Sequence, residues 1–109
     1  MEEKIFTIIA SSGEANGLIQ EAFILTQEGK YEEAMKKIDE SNEVLIGAHH
    51  IQTELINNEA QGIKNEIGIL MVHAQDHLMN VVLAKQLIKN MIDMQKELNE
   101  IREELKISQ

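Results

Sequence analysis

The 109-residue sequence contains no cysteine, which excludes disulfides, thiolate nucleophiles and zinc–thiolate centres. It contains no proline and only 6 glycines, so little prevents long uninterrupted helices. Aromatic residues make up 3% of the chain (Phe6, Phe23 and Tyr31), too few for a platform on which bases could stack. Basic residues are scarce as well: 10 Lys and Arg stand against 19 Asp and Glu, a formal charge of −9. A nucleic-acid binder needs the opposite balance to neutralise phosphates. No apolar run, residues 67–72 included, approaches the roughly 18 residues of a membrane span, so no direct membrane insertion is expected. The opening Met1-Glu2-Glu3-Lys4 is acidic where a secretory leader is basic, and the expected location is the cytoplasm.

What is present suits one helical domain spanning residues 1–109: the chain is 43% hydrophobic and 27% charged, enough for a core and a solvated surface. Ile5, Ile8, Ser12, Ala15, Ile19, Ala22 and Thr26 recur at spacings of three and four, predicting a helix from about residue 3 to 28. Its middle is built from small residues, Ser11, Ser12, Gly13, Ala15, Asn16 and Gly17. Two interior glycines cost roughly 1 kcal/mol each against alanine. The section therefore reads as a place where a neighbouring backbone comes close, or as a groove that leaves room for a partner. Gly29 fits a left-handed helix terminus.

A second helix is expected from residue 30 or 31 to residue 60 or 61, with the stripe Tyr31, Ala34, Met35, Ile38, Leu45, Ala48, His49, Gln52, Leu55 and Ile56. Gly62 would end it, and Ile63 would close the cap by a hydrophobic contact. Asn65 is the expected N-cap of a third helix running from residue 66 to 105, about 60 Å at 1.5 Å per residue. Along it, Ala84, Leu87, Met91, Met94, Leu98, Ile101 and Leu105 alternate by three and four as a coiled-coil-like seam. A compact three-helix bundle needs no helix that long, so the surplus stripe is expected to pair with another chain.

Traced toward the N-terminus in the same register, the seam passes through Asn80, His77, His73 and Leu70 and turns polar. A neighbouring line, Ile69, Val72, Asp76, Met79 and Leu83, places a carboxylate among apolar residues. His73, Asp76 and His77 stand at i, i+3 and i+4, so they project from one side of the helix. Polar groups on a seam are costly unless a cation, donor or solvent receives them. The cluster suits metal binding, proton transfer or phosphoryl acceptance. A zinc hydrolase would want a glutamate after the first histidine, where Ala74 stands. A two-component phosphotransfer domain would want a basic residue and small residues after it, where Ala74-Gln75-Asp76-His77 stand. Buried polar residues that fix helix register are a further reading. On the second helix, His49 and Gln52 lie on the inner stripe, either as interhelical hydrogen-bonding groups or as support for the His73 site.

The stretch His73-Ala74-Gln75-Asp76-His77-Leu78-Met79 resembles the signature of the lactose/cellobiose-class enzyme IIA components of the bacterial phosphoenolpyruvate-dependent sugar phosphotransferase system. Ala48-His49-His50-Ile51-Gln52-Thr53-Glu54-Leu55-Ile56 is similar to the family's second recurring segment, and Gly17-Leu18, Tyr31-Glu32-Glu33-Ala34 and Glu59-Ala60 fit as well. The resemblance implies an all-α protomer, an antiparallel three-helix bundle, assembling as a homotrimer through the third helix. It implies that His73 is phosphorylated, at Nε2, by the histidine-containing phosphocarrier protein HPr. His73 then passes the group to a cysteine of the IIB component, while a membrane IIC component takes up a β-linked disaccharide such as cellobiose, lactose or chitobiose. Asp76 matches the family's metal-binding aspartate, three copies of which share a divalent ion, magnesium. His77 and Gln75 match the signature, and Gln52 and His49 are supporting candidates; His50 falls at a variable position and carries no role. Three Asp76 carboxylates at one axis would repel each other without a cation.

Overall fold

The computed structural model describes residues 2–107, with the Ile107 side chain excepted. It consists of three α-helices: α1 (Glu2–Gln27), α2 (Tyr31–Ala60) and α3 (Ile69–Ile107). The two turns reverse the chain, so α2 runs antiparallel to the other two. Both are made by glycines in the left-handed region, Gly29 at φ 81° and Gly62 at φ 84°. At the first, the Lys30 N–H bonds to the Leu25 carbonyl at 2.8 Å and the Gly29 N–H to Thr26 at 3.1 Å. At the second, the Ile63 N–H bonds to Asn58 at 2.9 Å and the Gly62 N–H to Glu59 at 3.0 Å. These paired bonds satisfy carbonyls that a helix end leaves free. Ile63 closes its turn through the backbone; its side chain is exposed rather than sealing the cap.

The third helix begins at Ile69, three residues later than the capping signal suggested. Asn65 is not its N-cap, because the Asn65 side chain donates instead to the Leu55 carbonyl at 3.1 Å and pins the connection onto α2. The first helical bond is taken by Gly68, whose carbonyl accepts from Val72 N–H at 3.2 Å. At 39 residues α3 accounts for most of the 67 Å long axis of the molecule.

α1 is the packing centre, lying against both α2 and α3. Its buried face is the expected stripe, Ile5, Ile8, Ser12, Ala15, Ile19, Ala22 and Thr26. The two helical glycines Gly13 and Gly17 do not mark a close approach. They face outward, and a Cβ built on either meets nothing within 4 Å; Ser12 and Ala15 are the small residues that meet the neighbours. α2 buries Ala34, Ile38, Ser41, Leu45, Ala48 and Leu55. Met35 and Ile56, expected on this face, are 46% and 58% exposed, since each lies at the margin of a stripe that needs only one residue per turn.

On α3 the residues that face the protomer are Met71, Ala74, Leu78, Val81, Ile88 and Ile92, a different set from the seam. The seam residues Leu87, Met91, Met94, Leu98, Ile101 and Leu105 are exposed. The helix thus carries two apolar faces, offset by roughly 100°, and the protomer uses only one of them. Near the first turn, Asn99 of α3 donates to the Thr26 carbonyl and to Tyr31 Oη, both at 2.9 Å, and accepts from Gln95 at 2.9 Å. Lys96 stands 5.2 Å from the centre of the Tyr31 ring. This cluster ties all three helices together at one end.

Candidate functional site

His73, Asp76 and His77 occupy the first two and a half turns of α3, and all three are exposed. The buried stripe interleaves with them: Ala74 and Leu78 follow the two histidines directly and point into the core. The exposure of the histidines is therefore set by residues that cannot turn outward without emptying the core. His73 and His77 are one turn apart, and their Nε2 atoms lie 3.0 Å from each other. The rings meet edge to face, 89° between planes and 4.3 Å between centres. A contact of this length between imidazole nitrogens is a hydrogen bond, one ring supplying N–H and the other a lone pair. Val72, directly before His73, is exposed, and Met79 is exposed on the Gln75 side of the helix, where it contacts Gln52.

Gln75 lies two residues from His73, on the opposite side of the helix, and does not join the histidines. It faces α2, where Gln52 Nε2 donates to Gln75 Oε1 at 2.6 Å and contacts Met79 Sδ at 3.6 Å. The structure thus brings Gln52 and Gln75 together as an α2–α3 clamp. His49 is half-buried on α2 and makes no hydrogen bond to His73 or His77. A groove of about 300 Å³ opens beside the clamp, lined by Gln52, Leu55, Ile56, Met71, Val72 and Gln75 among others.

Two further contacts, one at this level and one farther along the bundle, hold α2 in place and were not anticipated from the sequence. Lys4 of α1 pairs with Glu54 of α2 at 2.6 Å, which holds the Glu54 carboxyl below its ordinary value through the hydrogen bond and the lysine charge, with a smaller contribution from His50. Lys85 of α3 donates to Asn42 of α2 at 3.0 Å. The only available signal was an isolated half-buried lysine on an otherwise apolar stripe. Among the described residues of one chain, no three His, Cys, Asp or Glu side chains converge as a metal site.

An all-helical protomer that mounts an exposed imidazole pair on its longest helix has the form of a histidine-bearing carrier rather than of an enzyme with an enclosed pocket. Comparison with known proteins makes the assignment specific. Residues 3–96 match the family model of the PTS system, lactose/cellobiose-specific IIA subunit, and the chain belongs to that family. It is 45% identical over 102 residues to the lichenan-specific phosphotransferase enzyme IIA component of Bacillus subtilis (strain 168), covering 94% of this chain and 93% of that one. The crystal structure of the PTS cellobiose-specific enzyme IIA from Bacillus anthracis superposes with a TM-score of 0.87 at 42% identity, covering 91% of each chain. A solution structure of the Escherichia coli IIA(chitobiose)–HPr complex superposes with a TM-score of 0.77 at 35% identity, covering 90% of this chain and 95% of that one. Among the described residues, no helix is long and apolar enough to cross a membrane.

Proposed function

We propose that this chain is a cytoplasmic phosphoryl carrier in which His73 accepts a phosphoryl group from HPr and passes it to the cysteine of a IIB component. The transfer would serve uptake and phosphorylation of a β-linked disaccharide such as cellobiose, lactose or chitobiose. The observation that carries this reading is an exposed imidazole, paired at 3.0 Å with a second one, on a rigid helix of a chain belonging to this family. The E. coli chitobiose relative, described in complex with HPr, supports the choice of donor.

Phosphoryl transfer asks little covalent chemistry of the surrounding protein and much positioning. His73 must present a neutral nitrogen lone pair to phosphorus, in line with the departing nitrogen of the donor. With Nε2 as nucleophile the proton resides on Nδ1. Ala74 and Leu78, buried on the core face directly after the two histidines, fix the helix rotation that aims it. Because donor and acceptor are both proteins, the ring must be reachable, and its exposure meets that need. The chain charge of −9 favours partners with positive patches, so association should weaken as salt rises. Gln52 and Gln75 would act by holding α2 against α3 beneath the site. His49 would act only through that packing.

Asp76 is the proposed metal ligand. A carboxylate oxygen suits magnesium, but one per chain is too few, so the ion would need Asp76 from three subunits joined along the α3 seam. Bound there, it would neutralise the converging carboxylates. The exposed apolar run from Leu87 to Leu105 supports such a homotrimer, since a patch of that extent is otherwise an aggregation liability.

The direct test is intact-mass spectrometry at basic pH after incubation with phosphoenolpyruvate, enzyme I and HPr. One added phosphoryl group per chain, absent from His73→Ala, is expected. A folded wild-type chain that gains none, with active partners, would reduce the histidine pair to a structural feature of a helical adaptor.

A further inference from the structure

We infer that Asn80 is the register pin of the α3 seam: in the proposed homotrimer its side-chain amide meets the same amide of the neighbouring copies, and this layer aligns the chains. The inference rests on the homotrimer reading above and adds to it the residue that fixes how the copies line up. Asn80 begins a line of seam residues that continues, one heptad at a time, through Leu87, Met94 and Ile101. Those three are exposed apolar side chains, so from position 80 onward Asn80 is the one polar group in the line. The amides of α3 that face the other helices are all engaged: Gln75 by Gln52, Gln95 by Asn99, and Asn99 by the Thr26 carbonyl and Tyr31. Asn80 is different. It is exposed, and among the described residues its side chain has no hydrogen-bond partner. A leucine there would bury more apolar surface on assembly, so tightness is not what the amide provides.

A primary amide carries both donor and acceptor, so it is complementary to itself. Around a three-fold axis each Asn80 donates an Nδ2–H to the Oδ1 of the next copy, and the ring closes with every oxygen satisfied. A slip of one heptad breaks the ring: it moves one chain about 10 Å along the axis and sets Asn80 against Leu87. An amide buried against a leucine loses its bonds to water without replacement, which costs more than the ring contributes. The apolar stretch from Leu83 to Leu105 has no such preference, because its side chains pack on one another in several registers and in either direction. Two chains paired antiparallel over that stretch alone would leave Asn80 in water beyond the overlap. The ring thus adds to the parallel, unslipped arrangement what the antiparallel one forgoes. Asp76 lies one turn before Asn80, so the same alignment brings the Asp76 carboxylates of all copies to one level, as sharing an ion requires.

The test uses the full chain, whose lack of cysteine lets Glu104→Cys carry a single spin label per copy near the far end of the seam. Glu104 is exposed, so the label sits at the margin of the protomer and leaves its core intact. Pulsed dipolar spectroscopy then reads the spacing between copies. With Asn80 in place, one short and narrow distance is expected. In Asn80→Leu that distance should broaden through slips of about 10 Å, or give way to the separation of about 30 Å that an antiparallel pair over residues 83–105 would show. Asn80→Thr, whose hydroxyl both donates and accepts, should restore the single distance. Asn80→Leu that keeps one short, narrow distance would overturn the pin and leave the homotrimer standing. No dipolar coupling with Asn80 in place, or a separation of about 30 Å alone, would overturn both.

Discussion

Alanine in place of Gly13 and Gly17 should stabilise this protein, whereas the same change at Gly29 and Gly62 should destabilise it. All four glycines have open space around a built Cβ, so sterics with neighbours do not distinguish them. Backbone conformation does. Gly29 and Gly62 lie at φ 81° and 84°, where an L side chain is strained, whereas Gly13 and Gly17 are ordinary helical residues. In a helix interior glycine costs about 1 kcal/mol against alanine, much of it unfolded-state entropy. The Gly13→Ala/Gly17→Ala pair should therefore gain about 1–2 kcal/mol. For a domain of this size that raises Tm by about 4–8 °C. Gly29→Ala or Gly62→Ala should each lose about 1 kcal/mol. The assay is urea and thermal unfolding at a single protein concentration, because the proposed assembly would make Tm concentration-dependent. Unchanged m-values would confirm that only stability has moved. A lower Tm for the Gly13/Gly17 pair would refute the reasoning, since it would place another chain against the outer face of α1.

Asn99→Ala removes two donor bonds that join α3 to α1 and α2 and one acceptor bond from Gln95 within α3; at about 1 kcal/mol each it should cost about 2–3 kcal/mol in urea unfolding, and a loss below 0.5 would mean solvent replaces the cluster freely. Glu54→Gln should flatten the acid limb of the stability curve. The Glu54 carboxyl titrates below its ordinary 4.5 in the folded chain, so the Lys4 contact contributes stability above pH 4.5 that is lost as pH falls through the folded value. The pair is exposed, so the difference from wild type should shrink in high salt. Asp76→Leu should abolish any magnesium dependence of the proposed trimer's assembly in sedimentation experiments without dissolving it; loss of every oligomer would count against simple charge repulsion at the proposed axis.

How much of this was readable depended on whether a helix has one apolar face or two. α1 has one, shared between both neighbours, and its stripe from Ile5 to Thr26 could be named residue by residue. α3 has two, and the uninterrupted one is the seam. The protomer-facing one is broken by Lys85, Gln95 and Asn99, of which Lys85 and Asn99 are satisfied by partners far away in sequence and Gln95 by Asn99 one turn on, so periodicity picked out the seam, expected to pair with another chain, and left the core face unnamed. The Asn65 signal failed for a related reason: a capping residue is a local preference, and a carbonyl ten residues away on α2 held it more firmly. His73, Asp76 and His77 were legible because they are polar where the repeat calls for apolar residues. Their exposure and the Nε2–Nε2 contact were not, since rotation about α3 is decided by Ala74 and Leu78.

That interleaving makes chemistry and stability separable along a few consecutive residues of α3. His73 is exposed and its ring meets His77 one turn away edge to face, so His73→Ala should leave urea unfolding within about 0.5 kcal/mol of wild type while removing the proposed phosphoryl acceptor. Ala74 is fully buried. Ala74→Leu would force three extra heavy atoms between α3 and its neighbours, costing about 1–3 kcal/mol or more. Leu78→Ala would open a void in the same region and cost about 2–5 kcal/mol. If these core changes are tolerated with α3 rotated, the histidines move with the helix and phosphorylation should fall in proportion. A His73→Ala variant that unfolds as readily as Leu78→Ala would mean that the imidazole pair belongs to the core after all, and that the exposed face of α3 is closed by contacts between chains.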